Sequence, residues 1–113
     1  MKKLLLLGLL ATASSQALAC TYTAWISDDN KYNSKGVFLA GSATKSAAAA
    51  VLRQERADSG SYECGLGSVS ARANFEAKIR RNNIPAKVIN AIVYGNPTVT
   101  VTISGNKVYV NAY

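Results

Sequence analysis

The chain has 113 residues, an apolar fraction of 49% and a formal net charge of +7. This size and composition are typical of one globular domain with its own core. The sequence has no histidine, which excludes Ser-His-Asp and Cys-His catalytic arrangements. It has two cysteines, too few for a zinc site without histidine. We therefore expect no metal site and no cofactor.

The first 19 residues predict a cleaved secretory signal peptide. Lys2 and Lys3 form a positive start, and the apolar run that follows over residues 4–13 is shorter than the roughly 20 residues of a transmembrane helix. Ala17-Leu18-Ala19 is an A-x-A cleavage site. We therefore expect residues 20–113 to be the mature protein, a single domain in the periplasm or outside the cell. Its formal net charge is +5.

Cys20 and Cys64 predict one disulfide, because export leads to an oxidising compartment and the cysteine count is even. Such a bond would stabilise the fold by roughly 4 kcal/mol in the chain-entropy model. The alternative is lipid attachment to Cys20, which directly follows the cleavage site. Bacterial lipoprotein signals usually carry leucine three residues before that cysteine. Here Ala17 holds the place, which favours ordinary cleavage.

The first element of the mature chain is a predicted strand over Thr21–Ser27, in which Tyr22 and Ala24 alternate with polar residues and Trp25. A polar loop follows over residues 28–36, and Val37–Ala40 predicts a second short strand. We expect these two strands to form a hairpin with a long loop.

Three helices are predicted next. The first covers Ala47–Ala57 with Arg53, Gln54, Glu55 and Arg56 mostly facing outward, and the second covers about Val69–Arg81. The third begins at Pro85 and ends before Gly95. Each carries an apolar stripe of the kind that packs on a core. These stripes include Val51, Leu52, Phe75, Ile79, Val88, Ile89, Ile92 and Val93.

The chain ends in a predicted hairpin over residues 98–113, with valines alternating against threonines and tyrosines around a Gly105-Asn106 turn. This turn places Ile103 opposite Val108 and Val101 opposite Val110, so one face is apolar. A lone hairpin is marginal in water, and the helices must cover it. The predicted fold is α+β in the order β-β-α-α-α-β-β, with a small antiparallel sheet of about four strands and helices on one face.

Two surface sets are candidate binding sites. The polar face of the hairpin offers tyrosine beside lysine and asparagine, a composition that protein-recognition surfaces use. Its members are Lys107, Tyr109, Asn111 and Tyr113. The second helix carries a basic set that could bind an anion, nucleic acid or an acidic protein: Arg72, Lys78, Arg80 and Arg81. Glu76 lies four residues from Arg72 and from Arg80, so pairing with both is the simpler interpretation.

Three functions fit these patterns. The first is an exported, non-enzymatic binding protein that holds a macromolecular partner, for example as an inhibitor or immunity protein. The second is a small secreted hydrolase acting through carboxylates such as Glu55 and Glu63, although we expect all six acidic residues to be solvated. The third is an envelope protein that associates with an anionic polymer or nucleic acid. Small size, the expected disulfide and the missing catalytic groups favour the first.

Overall fold

The computed structural model describes residues 18–113, so residues 1–17 of the predicted signal peptide lie outside the described residues. Six main elements follow one another, and they are β1 Cys20–Trp25, α1 Lys45–Ser59, α2 Val69–Arg80, α3 Ala86–Tyr94, β2 Thr98–Ser104 and β3 Lys107–Ala112. Two short 3-10 turns cover Asp28–Lys31 and Glu63–Gly65. None of the helices within residues 18–113 has the length and apolar character needed to span a membrane.

The predicted α+β class is confirmed, but the sheet within residues 18–113 has three strands rather than about four. Its order is β1-β2-β3, and both pairings are antiparallel. Val37–Ala40 is not a strand, and its backbone pairing with the preceding loop is limited to an isolated bridge between Tyr32 and Phe38. Val37 and Phe38 are about half exposed, so a strand here would bury little apolar surface. The predicted N-terminal hairpin is therefore wrong.

β1 instead pairs with β2, which is far away in the sequence. Cys20 lies opposite Ile103, Tyr22 opposite Val101 and Ala24 opposite Val99. This register places the apolar side chains of both strands on one face, where Tyr22, Val99 and Val101 are buried. Pairing with β2 thus provides the apolar neighbours that the exposed Val37 and Phe38 could not supply.

The C-terminal hairpin has the predicted register, with Ser104 opposite Lys107 and Val101 opposite Val110. Gly105 has a φ of 60°, a conformation that glycine adopts without steric cost. The turn and the alternating valines therefore specify the same pairing.

The helices cover the valine face of the sheet, and their ends follow local signals. The Thr44 side chain accepts a hydrogen bond from the Ala47 N–H at 3.1 Å, and Ser68 caps Ala71 in the same way. Gly60 ends α1 with a φ of 66°. The core between the layers is formed by the helical stripes and the strands; its fully buried members include Val51, Leu52, Phe75, Ile79, Ile92, Val99, Val101 and Val108.

The two cysteines lie in disulfide geometry, with 5.6 Å between their Cα atoms. Cys20 is at the start of β1, and Cys64 is in the turn between α1 and α2. The bond therefore fastens an edge strand of the sheet to the helical layer, as the sequence predicts.

Candidate functional site

One face of the sheet is left uncovered by the helices. Three rows of side chains cross it, one from each strand in every row, as the two registers and strand alternation place them. We call this surface the open sheet face, and its members are Thr21, Thr102 and Tyr109 in the first row, Thr23, Thr100 and Asn111 in the second, and Trp25, Thr98 and Tyr113 in the third. All nine are uncharged, and Lys107 adds one positive charge at the hairpin end.

Large aromatic side chains stand at the two edges of this face. Trp25 is 63% exposed, Tyr109 is 58% exposed and Tyr113 is 76% exposed. Seven of the nine aromatic residues of the chain are exposed, and only Tyr22 and Phe75 are buried. Aromatic residues usually dominate cores and interfaces, so their distribution here favours an interface.

Hydrogen bonds hold the open sheet face in place. The Trp25 indole N–H donates to the Asn96 carbonyl at 3.1 Å, which fixes the ring over one end of the sheet. Tyr113 lies just beyond β3, yet its N–H donates to the Thr98 carbonyl at 2.8 Å. The hydroxyls of Thr21 and Thr102 lie 2.9 Å apart. The aromatic side chains are therefore carried on ordered backbone, which lowers the entropy lost on binding.

Three of the four hairpin residues predicted as a binding set, Tyr109, Asn111 and Tyr113, lie together on this face, and Lys107 lies at its hairpin end. Trp25 was not predicted to join them, because β1 was expected to pair elsewhere. The available signal was the likeness between Thr21-Tyr22-Thr23 and the threonine-valine repeat of β2.

The predicted basic set on the second helix does not form one patch. The Arg80 side chain donates to Glu76 at 2.8 Å, and Arg53 of α1 takes the other oxygen of the same carboxylate at 2.8 Å. The expected pairing of Arg72 with Glu76 is not present among these contacts. The remaining three, Arg72, Lys78 and Arg81, line three different cavities.

Arg81 is the member of the predicted basic set that lies beside the C-terminal hairpin. It shares a cavity of about 310 Å³ with Lys107 and Tyr109. The Asn82 side-chain N–H closes one side by donating to the Asn106 carbonyl in the hairpin turn at 2.9 Å. Two of the predicted surface sets therefore touch at this corner of the molecule, where the charge is positive.

Arg72 lines a larger cavity of about 400 Å³, which we call the basic cavity. It lies between α1, the start of α2 and the loop before α1. Its polar lining includes Asn33, Ser34, Lys35, Arg53, Gln54, Arg72 and Glu76, and its apolar lining is formed by Leu39, Ala50, Ala57 and Val69. Lys78 belongs to a smaller cavity of about 220 Å³ beside the disulfide.

The carboxylates considered for hydrolysis lie around one buried arginine. Arg56 is 3% exposed and Glu55 is 6% exposed, so the prediction that these side chains face outward is wrong. The guanidinium donates to both oxygens of Glu55, at 2.6 and 2.9 Å, and to Glu63 at 3.4 Å. Glu76 is buried as well, so the expectation that all six acids are solvated is also wrong. Pairing is what makes burial of these charges possible.

The Arg56 guanidinium also lies over the Tyr22 ring, 3.9 Å from its centroid. Burial alone would lower the pKa of Arg56, but the hydrogen bonds and the charge of Glu55 outweigh it, so the pKa is raised. Burial raises the pKa of the Tyr22 hydroxyl, which has no hydrogen-bond partner within the described residues. Both groups therefore keep their protonated forms at neutral pH. Both carboxylate oxygens of Glu55 accept hydrogen bonds from Arg56. The contact between Arg56 and Tyr22 links α1 to β1.

The open sheet face carries three exposed aromatic side chains, and the basic cavity has a larger volume than the two other cavities named above. No protein-family model, curated protein or solved structure matches this chain.

Proposed function

We propose that the mature domain is an exported, non-enzymatic binding protein that holds a protein partner on the open sheet face, in the manner of an inhibitor or immunity protein. The observation that carries the proposal is the presence of three exposed aromatic side chains on an ordered, uncharged surface. Depletion of charge and enrichment of tyrosine and tryptophan are features of interface cores.

The dimensions of the face support a protein partner. Tyr109 of β3 and Tyr113 just beyond it are four residues apart, about 13 Å at the rise of an extended strand. Trp25 and Tyr113 stand two strands apart, about 10 Å at the usual strand spacing. Three anchors spread over such an area match the centre of a standard interface, where a few aromatic residues contribute most of the binding energy.

Export is supported by two observations. The first 19 residues have the pattern of a signal peptide, and the cysteine pair has the geometry of a disulfide, a bond that persists in oxidising compartments. The periplasm and the extracellular space both meet this condition.

The test is partner capture by the mature domain from envelope and culture-supernatant extracts. Wild-type protein and three variants are immobilised, and each retained protein is quantified by mass spectrometry. We expect Trp25→Ala and Tyr113→Ala to weaken capture of the same partner by about 30-fold or more, the scale of an aromatic hot spot. Tyr62→Ala is the matched control, because Tyr62 is also exposed but does not belong to the open sheet face.

Circular dichroism of each variant establishes that it is folded before capture is compared. Equal retention by wild type and by the Trp25 and Tyr113 variants would contradict the proposed surface. Retention that disappears on nuclease treatment or at moderate salt would instead favour the third function, association with an anionic polymer.

A further inference from the structure

The basic cavity contains a cation without an acidic partner. Glu76 is the only acidic residue in its lining, and both carboxylate oxygens of Glu76 already accept hydrogen bonds from Arg53 and Arg80. Arg72 takes part in no salt bridge within residues 18–113, and its guanidinium donates only to the Leu66 carbonyl at 3.3 Å. A partly buried guanidinium without a counter-charge favours binding of an anion.

The charge of the cavity indicates what kind of anion fits. Lys35, Arg53 and Arg72 line it with Glu76, which leaves a net charge of +2. A phosphate monoester carries a charge of about −1.5 to −2 at neutral pH and offers three acceptor oxygens. Arginine can bind such a group through two parallel N–H donors.

The volume indicates that the anion is part of a larger molecule. About 400 Å³ lies within the range of small-molecule pockets and is far more than a free phosphate ion fills. The remaining wall is provided by Leu39, Ala50, Ala57 and Val69, whose apolar surfaces can contact an organic body. Gln54 and Ser34 add neutral polar groups beside them.

The loop that carries Lys35 is ordered before any ligand arrives. The Asn33 side-chain oxygen accepts hydrogen bonds from the N–H groups of Lys35 and Val37, both at 2.9 Å. The Asn33 N–H donates to the Val37 carbonyl at 2.9 Å. The backbone of Lys35 is therefore held in a turn that lines the cavity, which reduces the entropy lost on binding.

We propose that the basic cavity binds a small organic phosphate, with Arg72 and Lys35 holding the phosphate group and the apolar wall contacting its organic part. This inference does not rest on the proposed protein-binding function, because the cavity and the open sheet face are formed by different residues.

Isothermal titration calorimetry at constant ionic strength tests the inference with three probes, glucose 6-phosphate, inorganic phosphate and glucose. We expect saturable binding of glucose 6-phosphate, weaker binding of inorganic phosphate and no binding of glucose. Arg72→Gln should weaken glucose 6-phosphate binding by about tenfold or more, the effect of losing a charge-assisted hydrogen bond. Arg81→Gln is the matched control, because it removes the same charge from the end of α2 outside this cavity.

Lys35→Gln provides a second variant on an exposed loop residue, in case Arg72→Gln does not fold. It should weaken glucose 6-phosphate binding while the Arg81 variant keeps wild-type affinity. The proposal is overturned by the absence of saturable binding of glucose 6-phosphate up to about 10 mM, a limit well above the affinity of ordinary ligand sites. It is equally overturned if Arg81→Gln weakens binding as much as Arg72→Gln, since the effect would then be one of net charge.

Discussion

The burial of Glu55 and Arg56 shows what a helical pattern cannot reveal at the scale of single residues. Charged side chains are almost never fully buried unless they are paired, so the sequence favoured an outward position for both. Neighbours in a helix do not normally face each other. Here the guanidinium turns back onto the adjacent carboxylate and also covers the Tyr22 ring. That geometry depends on where β1 lies, which the helix alone does not determine.

Replacement of Arg56 tests this cluster. Arg56→Met leaves the Glu55 carboxylate buried without its partner, and we expect the free energy of unfolding to fall by about 3–5 kcal/mol. Urea denaturation with the disulfide intact measures this change.

The matched control for that experiment is Arg53→Met in the same helix. Arg53 is more exposed, and Glu76 keeps its contact with Arg80, so the expected loss is about 1 kcal/mol or less. The double variant Glu55→Leu, Arg56→Met should recover part of the stability lost in Arg56→Met. Equal losses for Arg53→Met and Arg56→Met would show that the buried pair has no special role.

At the scale of elements, local pairing was predictable and distant pairing was not. The C-terminal hairpin follows from residues 98–113 alone, because the Gly105-Asn106 turn and the valine alternation determine the same register. The strand that pairs with β1 is the one whose apolar side chains complete the core. The sequence favoured Val37–Ala40 instead, because that segment is nearer to β1 along the chain than β2 is. Because the predicted partner of β1 was wrong, Trp25 was left out of the predicted binding set. The basic cavity was not predicted from the sequence, because residues from two helices and a loop form it together.

Two neighbouring positions in β2 test the two faces of the sheet. Val101 is fully buried, and Val101→Ala should lower the free energy of unfolding by about 1.5–3 kcal/mol, the value of burying a valine side chain. Thr100→Ala, one residue away on the open sheet face, should change it by about 1 kcal/mol or less. Thermal and urea unfolding measure both. A loss for Thr100→Ala as large as that for Val101→Ala would indicate that both faces of the sheet are core.

At the scale of the whole molecule, the disulfide joins the two layers of a small domain. Its loss frees the start of β1 from the helical layer, and Cys64→Ser should lower the free energy of unfolding by about 2–5 kcal/mol. Reduction of the wild-type protein should produce a similar loss, whereas the same reductant should leave Cys64→Ser unchanged. Wild-type protein whose stability does not change on reduction would contradict the prediction.

The pairing of β1 with β2 also determines the order in which the chain can fold as it is synthesised. Cys20 and Ile103 are opposite each other in the sheet but far apart in the sequence, and such pairings raise the contact order of a fold. A nascent chain that has just passed residue 64 can already bring its two cysteines together, yet it contains no strand with which β1 could pair. β1 can therefore pair only after β2 has been made. Until then β1 has no strand partner, and its backbone N–H and C=O groups are unpaired.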